Sequence, residues 1–372
     1  MSGAGLPIAF FLVLFLLGVL LVIWCVEVFI EAVARSAVSL GISGFFLAVL
    51  LAGVDLENAV LGLTAAFVAL PDLALGTVFG ESLFVLAVGV GVAGLVAPFE
   101  SAVPRIYLLM LLFVPIPAFA MSLGGTIDLQ QGVLLVAAFV PLLAAIFWYE
   151  RRSRTAYMRS EEVQAALETD RRDDGTEPVA DSTTASSTDA TEGETVGTDR
   201  DDSVIPTLAL DFDLDADEFV PDLEERSGTF ALGVAILSIV GLTAGSLLTV
   251  ASAERLFVAF GISGLAFGAT VLSFIASIEE LALTVEPVRK GRPHLAVGNV
   301  VGSTVFYMTA NVGLIALLHP VDTGGAVLSV HWPFFAGCLL VVTVMLARNR
   351  VTRGGGVVLV GLYVAYWVAN YA

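Results

Sequence analysis

Residues Pro71 to Phe84 read PDLALGTVFGESLF, and residues Pro293 to Phe306 read PHLAVGNVVGSTVF. Laid over each other without a gap, at an offset of 222, seven of the fourteen positions are identical. Eighteen residues ahead of the shared Gly76 and Gly298, each copy carries acid inside an apolar run, VDLEN at Val54 to Asn58 and SIEEL at Ser277 to Leu281. A carboxylate near a bilayer centre costs about 2.5–3.5 kcal/mol on insertion scales. A pattern that expensive, kept twice, points to a cation site built where the two copies of an internal repeat meet.

The rest of the chain supplies the bilayer. Hydrophobic residues make up 57% of 372, above the share in soluble domains, and about twenty apolar residues cross a membrane as a helix. Ten spans are expected, near 6–29, 38–69, 74–97, 104–124, 131–149, 228–250, 256–287, 294–318, 331–347 and 355–371. The expected fold class is an all-α polytopic membrane protein. The second and seventh spans are longer than one straight crossing needs, and both hold the acidic motif. The first has no basic leading segment and runs into Glu27 and Glu31, so it reads as a span with interfacial acids rather than a cleaved leader. Cys25 and Cys338 lie in apolar spans and imply neither a disulfide framework nor a metal centre. His294, His319 and His331 fall at span ends, where capping or interfacial roles are expected.

Charge is concentrated elsewhere. From Glu150 to Gly228, 23 acids face 8 arginines, so −15 of the net −19 sits in one segment rich in Asp, Thr, Ser and Gly. Such a composition buries too little apolar surface to fold. A disordered acidic linker is therefore expected over 150–227, between five-helix halves at 1–149 and 228–372. The run LDFDLDADEF from Leu210 lacks the glycine and closing glutamate of a calcium loop and reads as a solvated spacer. One lysine, Lys290, against sixteen arginines in an acidic chain reads as the composition of a salt-loving organism.

Basic residues follow spans 1, 3, 5, 7 and 9: Arg35; Arg105; Arg151, Arg152 and Arg154; Arg289, Lys290 and Arg292; Arg348, Arg350 and Arg353. On the opposite side only Arg255 appears. The positive-inside rule then makes the linker cytoplasmic and puts both termini outside, in a multi-pass protein of the plasma membrane. Span 2 leaves the membrane outside at Pro71, whereas its counterpart, span 7, leaves inside at Arg289. The halves are thus inverted, with repeat cores at about 38–97 and 256–318. GISG at Gly41 to Gly44 recurs at Gly261 to Gly264.

The second copy, GISGLAFGATVLSFIASIEELALTVEPVRKGRPHLAVGNVVGSTVF, resembles the α-repeat of the sodium/calcium exchangers, of the calcium/cation antiporter superfamily, in a prokaryotic form. The family pattern is roughly G-T-S-L-P-E, a spacer, then G-N-x-x-G-S-N-I-F-N. The resemblance implies ten spans in inverted halves around a central cytoplasmic loop. Carried over residue by residue, the family's essential glutamate falls on Glu280 and its motif serine on Ser277. The asparagine of G-N falls on Asn299, and the serine after the second glycine on Ser303. In the first repeat those glutamate, serine and second-serine places hold Asn58, Asp55 and Glu81. The family proline is Glu57 in one copy and Glu279 in the other. The last motif position, often Asn or Asp, is Val85 and Tyr307. Charge is kept but redistributed.

Calcium takes six to eight oxygens at about 2.3–2.6 Å, and sodium accepts similar ligands with less charge. The expected cation ligands are Glu57, Asn58, Glu81, Ser277, Glu280 and Ser303, with Glu280, Glu57 and Glu81 as the metal-binding carboxylates. Asp55, Glu279 and Asn299 are expected behind them as supporting or proton-carrying groups. Adjacent residues of a straight helix point about 100° apart, so Glu279 and Glu280 enter one pocket together only if the helix breaks there. The expected function is calcium export against sodium entry by alternating access, with no cofactor, no bond-breaking chemistry, no nucleic acid and no obligate protein partner. The partners are calcium and sodium ions (or protons) and the lipid bilayer. Two alternatives stay open. One is a proton-coupled divalent-cation antiporter of the same fold, with Glu279 or Glu57 carrying the proton. The other is a non-transporting cation sensor or scaffold derived from an exchanger. An intramembrane protease is disfavoured, because the spans hold no paired catalytic Asp and no Ser–His arrangement.

Overall fold

Inside a bilayer the backbone must satisfy its own donors and acceptors, and long apolar segments do so as helices. A computed structural model of the chain describes residues 7–39, 56–152 and 228–372. The first half holds α1 (Ile8–Ser39), α2 (Leu56–Phe67), α3 (Pro71–Val96), α4 (Arg105–Ser122) and α5 (Leu129–Arg152). The second holds α6 (Gly228–Phe260), α7 (Gly264–Ala276), α8 (Ile278–Arg289), α9 (Pro293–Leu318), α10 (Val327–Ala347) and α11 (Arg353–Tyr371). Among the described residues, eight helices are long and apolar enough to cross a membrane, and α7 with α8 makes a further span bent by 49°. The 12-residue α2 is the described end of the long span expected at 38–69. Asp55, the first GISG and the linker beyond Arg152 lie outside the described residues.

Three span boundaries differ from expectation. α6 continues past residue 250 to Phe260, because nothing in TVASAERLF stops a helix. The stop is Gly261, at φ +68°, a left-handed conformation that suits glycine at a helix end. Arg255, expected in a loop, therefore stands exposed on α6. α10 begins at Val327 rather than 331, which carries His331 inside the span instead of to its end. α1 runs on to Ser39 and takes Glu27 and Glu31 within the helix.

The halves repeat and are inverted. α3 and α9 both open on a proline at the first helical position, Pro71 and Pro293, where its missing N–H costs nothing. Each also widens into a π-helical turn, at Phe84–Gly89 and Tyr307–Asn311. Contacts swap between equivalent positions: a Cβ on Gly62 would stand 3.2 Å from Asn311 Oδ1, and one on Gly89 would stand 3.1 Å from Thr284 Oγ1. Gly62 and Thr284 are 222 apart in sequence, as are Gly89 and Asn311, which is the offset of the twice-written stretch.

Two short antiparallel bridges show the inversion. β1 (Phe99–Glu100), before α4, pairs with β4 (Arg350–Val351), which precedes the last helix of the second half. β2 (Thr126–Ile127), before the last helix of the first half, pairs with β3 (Val321–Asp322), before α10. Each half's third-to-fourth loop thus meets the other half's fourth-to-fifth loop.

The repeated helices form the centre. Of their hydrophobic windows, 83% of α3 and 89% of α9 is buried, against 22% in α5 and α11. α3 and α7 touch backbone to backbone: a Cβ on Gly76 would strike the Leu265 carbonyl, and one on Gly268 the Leu73 carbonyl. Gly80 faces Ser273 just as closely. Outside this core, α1 and α6 lie antiparallel, with Gly18 against Thr249, Val22 against Gly245 and Cys25 against Gly241.

Candidate functional site

The seventh span is interrupted at Ser277, whose backbone (φ −93°, ψ 12°) leaves helical geometry between α7 and α8. Its amide still reaches the Ser273 carbonyl at 2.9 Å. Its side chain is fully buried, and Oγ has no hydrogen-bond partner among the described residues. The interruption puts Glu279 and Glu280 in the first turn of a new helix, where the dipole favours negative charge. Their environments differ as the 100° separation requires: Glu280 is buried and Glu279 only half-buried.

Glu280 is held from two directions. Asn299 Nδ2 on α9 donates to Glu280 Oε2 at 2.6 Å and lies 3.4 Å from Thr284 Oγ1. Thr284 in turn donates to the Glu280 carbonyl at 2.9 Å. α8 and α9 together present this glutamate as a fixed oxygen pair. The first half has no copy of the arrangement. Asn58 stands where Glu280 does, and Thr77, in the place of Asn299, returns its hydroxyl to the Ala74 carbonyl at 2.7 Å.

Asn58 instead crosses to the other half, its Nδ2 donating to Tyr307 Oη at 3.1 Å, with both residues buried. Glu57, beside it on α2, and Glu81 on α3 are buried as well, at 3% and 0% exposure. Glu81 follows Gly80, which packs on α7. Ser303 is buried on α9. Every arginine and lysine whose side chain is described is exposed. Among the described residues no three of His, Cys, Asp and Glu gather closely enough to hold a metal ion alone. An ion held here would draw on amide and hydroxyl oxygens beside carboxylate.

One residue of this region was not singled out from sequence, and a second was expected elsewhere. Asn311 ends the π-helical turn of α9 and is fully buried. The signal available was a lone amide in the apolar run YMTANVGLIALL. His331 is buried too, with Nδ1 2.7 Å from Tyr366 Oη and its ring stacked on Phe79 at 5.3 Å. Its span-end reading failed because the apolar AVLSV before it belongs to the same helix.

Comparisons with known proteins agree with this architecture. A family model described as sodium/calcium exchanger protein matches residues 10–148 and 230–372, leaving out the acidic linker. The inner membrane protein YrbG of Escherichia coli is 25% identical over 362 residues, covering 96% of this chain and 95% of that protein. The sodium/calcium exchanger MaX1 of Methanosarcina acetivorans is 29% identical over 153 residues, 40% of this chain and 43% of that one. Among solved structures, the H+/Ca2+ exchanger CAX superposes with a TM-score of 0.62 at 15% identity, over 97% of this chain and 84% of that chain.

Proposed function

The chain belongs to the sodium/calcium exchanger protein family, and from that premise we propose that this cation antiporter moves calcium outward against entering sodium, around a site centred on Glu280. Alternating access follows from the inverted halves, which present equivalent helices from opposite faces. Coupling follows if both ions compete for the same oxygens: Glu280, Ser277 and Ser303 from the second half, with Glu57, Asn58 and Glu81 from the first. Glu279 and Asn299 support the glutamate, Asp55 serves the equivalent place in the first repeat, and the site lies near the bilayer midplane. The plasma membrane is the location, with both termini outside and the linker in the cytoplasm.

The observation that carries this reading is the buried Glu280 at a helix break, fixed by Asn299 at 2.6 Å. A carboxylate held that way in an apolar protein is an ion site by default. The test is calcium uptake into sealed liposomes containing the purified chain, under imposed sodium or pH gradients, with Glu280→Gln alongside. Sodium-driven uptake that falls to the protein-free level in Glu280→Gln is the expected outcome. No flux under either gradient would instead leave the cation sensor or scaffold.

Proton coupling is the second reading, and the Asn58–Tyr307 bond favours it. In the family motif, Asn58 replaces a glutamate and Tyr307 an Asn or Asp, and here Asn58 Nδ2 donates to Tyr307 Oη. With Val85 opposite, that removes ligands a second class of metal ion would use. Glu279 or Glu57 would then carry the proton. Uptake driven by a pH gradient alone, indifferent to sodium, would establish this version.

A further inference from the structure

Asn311 is fully buried, and neither its Oδ1 nor its Nδ2 has a hydrogen-bond partner among the described residues. A buried amide with its whole hydrogen-bonding capacity unused is costly unless something outside the chain meets it. Its oxygen faces α2, where only a glycine leaves room: a Cβ on Gly62 would stand 3.2 Å from Asn311 Oδ1. Asn58 precedes Gly62 by one helical turn, and Tyr307 precedes Asn311 by one. The amide therefore sits one step, about 6 Å, along the α2–α9 seam from the Asn58–Tyr307 bond.

The backbone marks the same place. Asn311 closes the π-helical turn Tyr307–Asn311, a form rare in helices and frequent at functional sites. The matching turn of the first half, Phe84–Gly89, ends on glycine. Across from that glycine, Thr284 spends its hydroxyl on the Glu280 carbonyl. Across the α2–α9 seam the Asn311 amide has no such partner among the described residues.

We propose that Asn311 is a further oxygen ligand for the transported cation, at a station one turn along the α2–α9 seam from Asn58 and Tyr307. The amide oxygen meets the ion, and the amide N–H donates to a water that the ion carries. A neutral amide oxygen suits a partly hydrated calcium- or sodium-type cation, so the station serves either ion in transit while Glu280 supplies the charge. This rests on the antiporter reading above.

The test follows the thermal unfolding midpoint of the purified full chain in detergent, against rising calcium chloride or sodium chloride with choline chloride as control. Wild type is compared with Asn311→Ala, Asn311→Asp and Glu280→Gln, and flux is measured for the same proteins in liposomes. In Asn311→Ala the ion concentration for half-maximal stabilisation should rise about tenfold, with flux still saturating at the higher concentration. Asn311→Asp should shift preference toward calcium over sodium, because added ligand charge favours the divalent ion. Unchanged half-maximal concentrations in Asn311→Ala, whatever happens to its ion-free stability, would assign the amide to buried water or packing and overturn the proposal. Should Asn311→Ala fail to fold, the same-sized Asn311→Asp decides, and an unaltered calcium-to-sodium preference overturns it. If Glu280→Gln leaves ion binding intact while Asn311→Ala weakens it, the central role of Glu280 falls and the Asn311 station stands. The reverse pattern does the opposite.

Discussion

The bond from Asn58 to Tyr307 joins the two repeats through buried side chains. Removing the hydroxyl in Tyr307→Phe leaves a buried amide donor without its acceptor, which costs about 1–3 kcal/mol. Pairing Tyr307→Phe with Asn58→Leu should cost less than the two single changes added together, because both partners of the bond are then apolar. Thermal or denaturant unfolding of the four proteins measures the coupling, and strict additivity would show that the contact carries no energy. Sequence reading reached Asn58, Glu280 and Asn299 through the spacing of a motif. It passed over Asn311 because an amide in an apolar helix is visible in the letters, whereas the glycine facing it from 249 residues away is not. It divided Glu279 from Glu280 on helical geometry alone, and their unequal burial agrees.

At the level of elements, the repeat shows where one half departs from the other's chemistry. Ala69 adopts φ +63° between α2 and α3, and Gly291, 222 residues later, adopts φ +75° between α8 and α9. The turn demands a left-handed residue, and the first half meets that demand with a side chain that strains it by about 1–2 kcal/mol. Part of that strain is offset, since glycine loses more freedom on folding. Ala69→Gly should therefore raise stability by up to about 1 kcal/mol, and Gly291→Ala should lower it by a similar amount. Unfolding midpoints of the two variants decide it; a shift in the same direction for both would refute the shared turn geometry. Helix existence and order were readable from runs of apolar residues, whereas the break before Glu279 entered only as a condition for both glutamates reaching one pocket. Helix ends were less so, as at α6 and α10, because in a uniformly apolar chain only a local stop such as Gly261 marks where a helix turns.

For the whole molecule, inversion has a consequence for which loops see which side of the membrane. The β1–β4 bridge brings the loop before α4 together with the loop before α11, and the β2–β3 bridge does the same for the loops before α5 and α10. Each bridge therefore gathers one face. Arg105, Arg348, Arg350 and Arg353 flank the first bridge, and no basic residue lies between Ser122 and Leu129 or between Leu318 and Val327 beyond His319. The orientation proposed above from the positive-inside rule puts the β1–β4 face in the cytoplasm, the side on which α5 ends and α6 begins. Cys25 and Cys338 are both buried, which allows a cysteine-free background with single cysteines at exposed positions. Ala102→Cys and Gly354→Cys should react in intact cells only with a membrane-permeant maleimide. Thr126→Cys and Ala326→Cys should be blocked by an impermeant one as well. If all four responses are exchanged, the orientation is reversed while the inverted architecture survives. If the two members of either pair respond differently, the bridges do not gather single faces and the inverted packing itself is wrong.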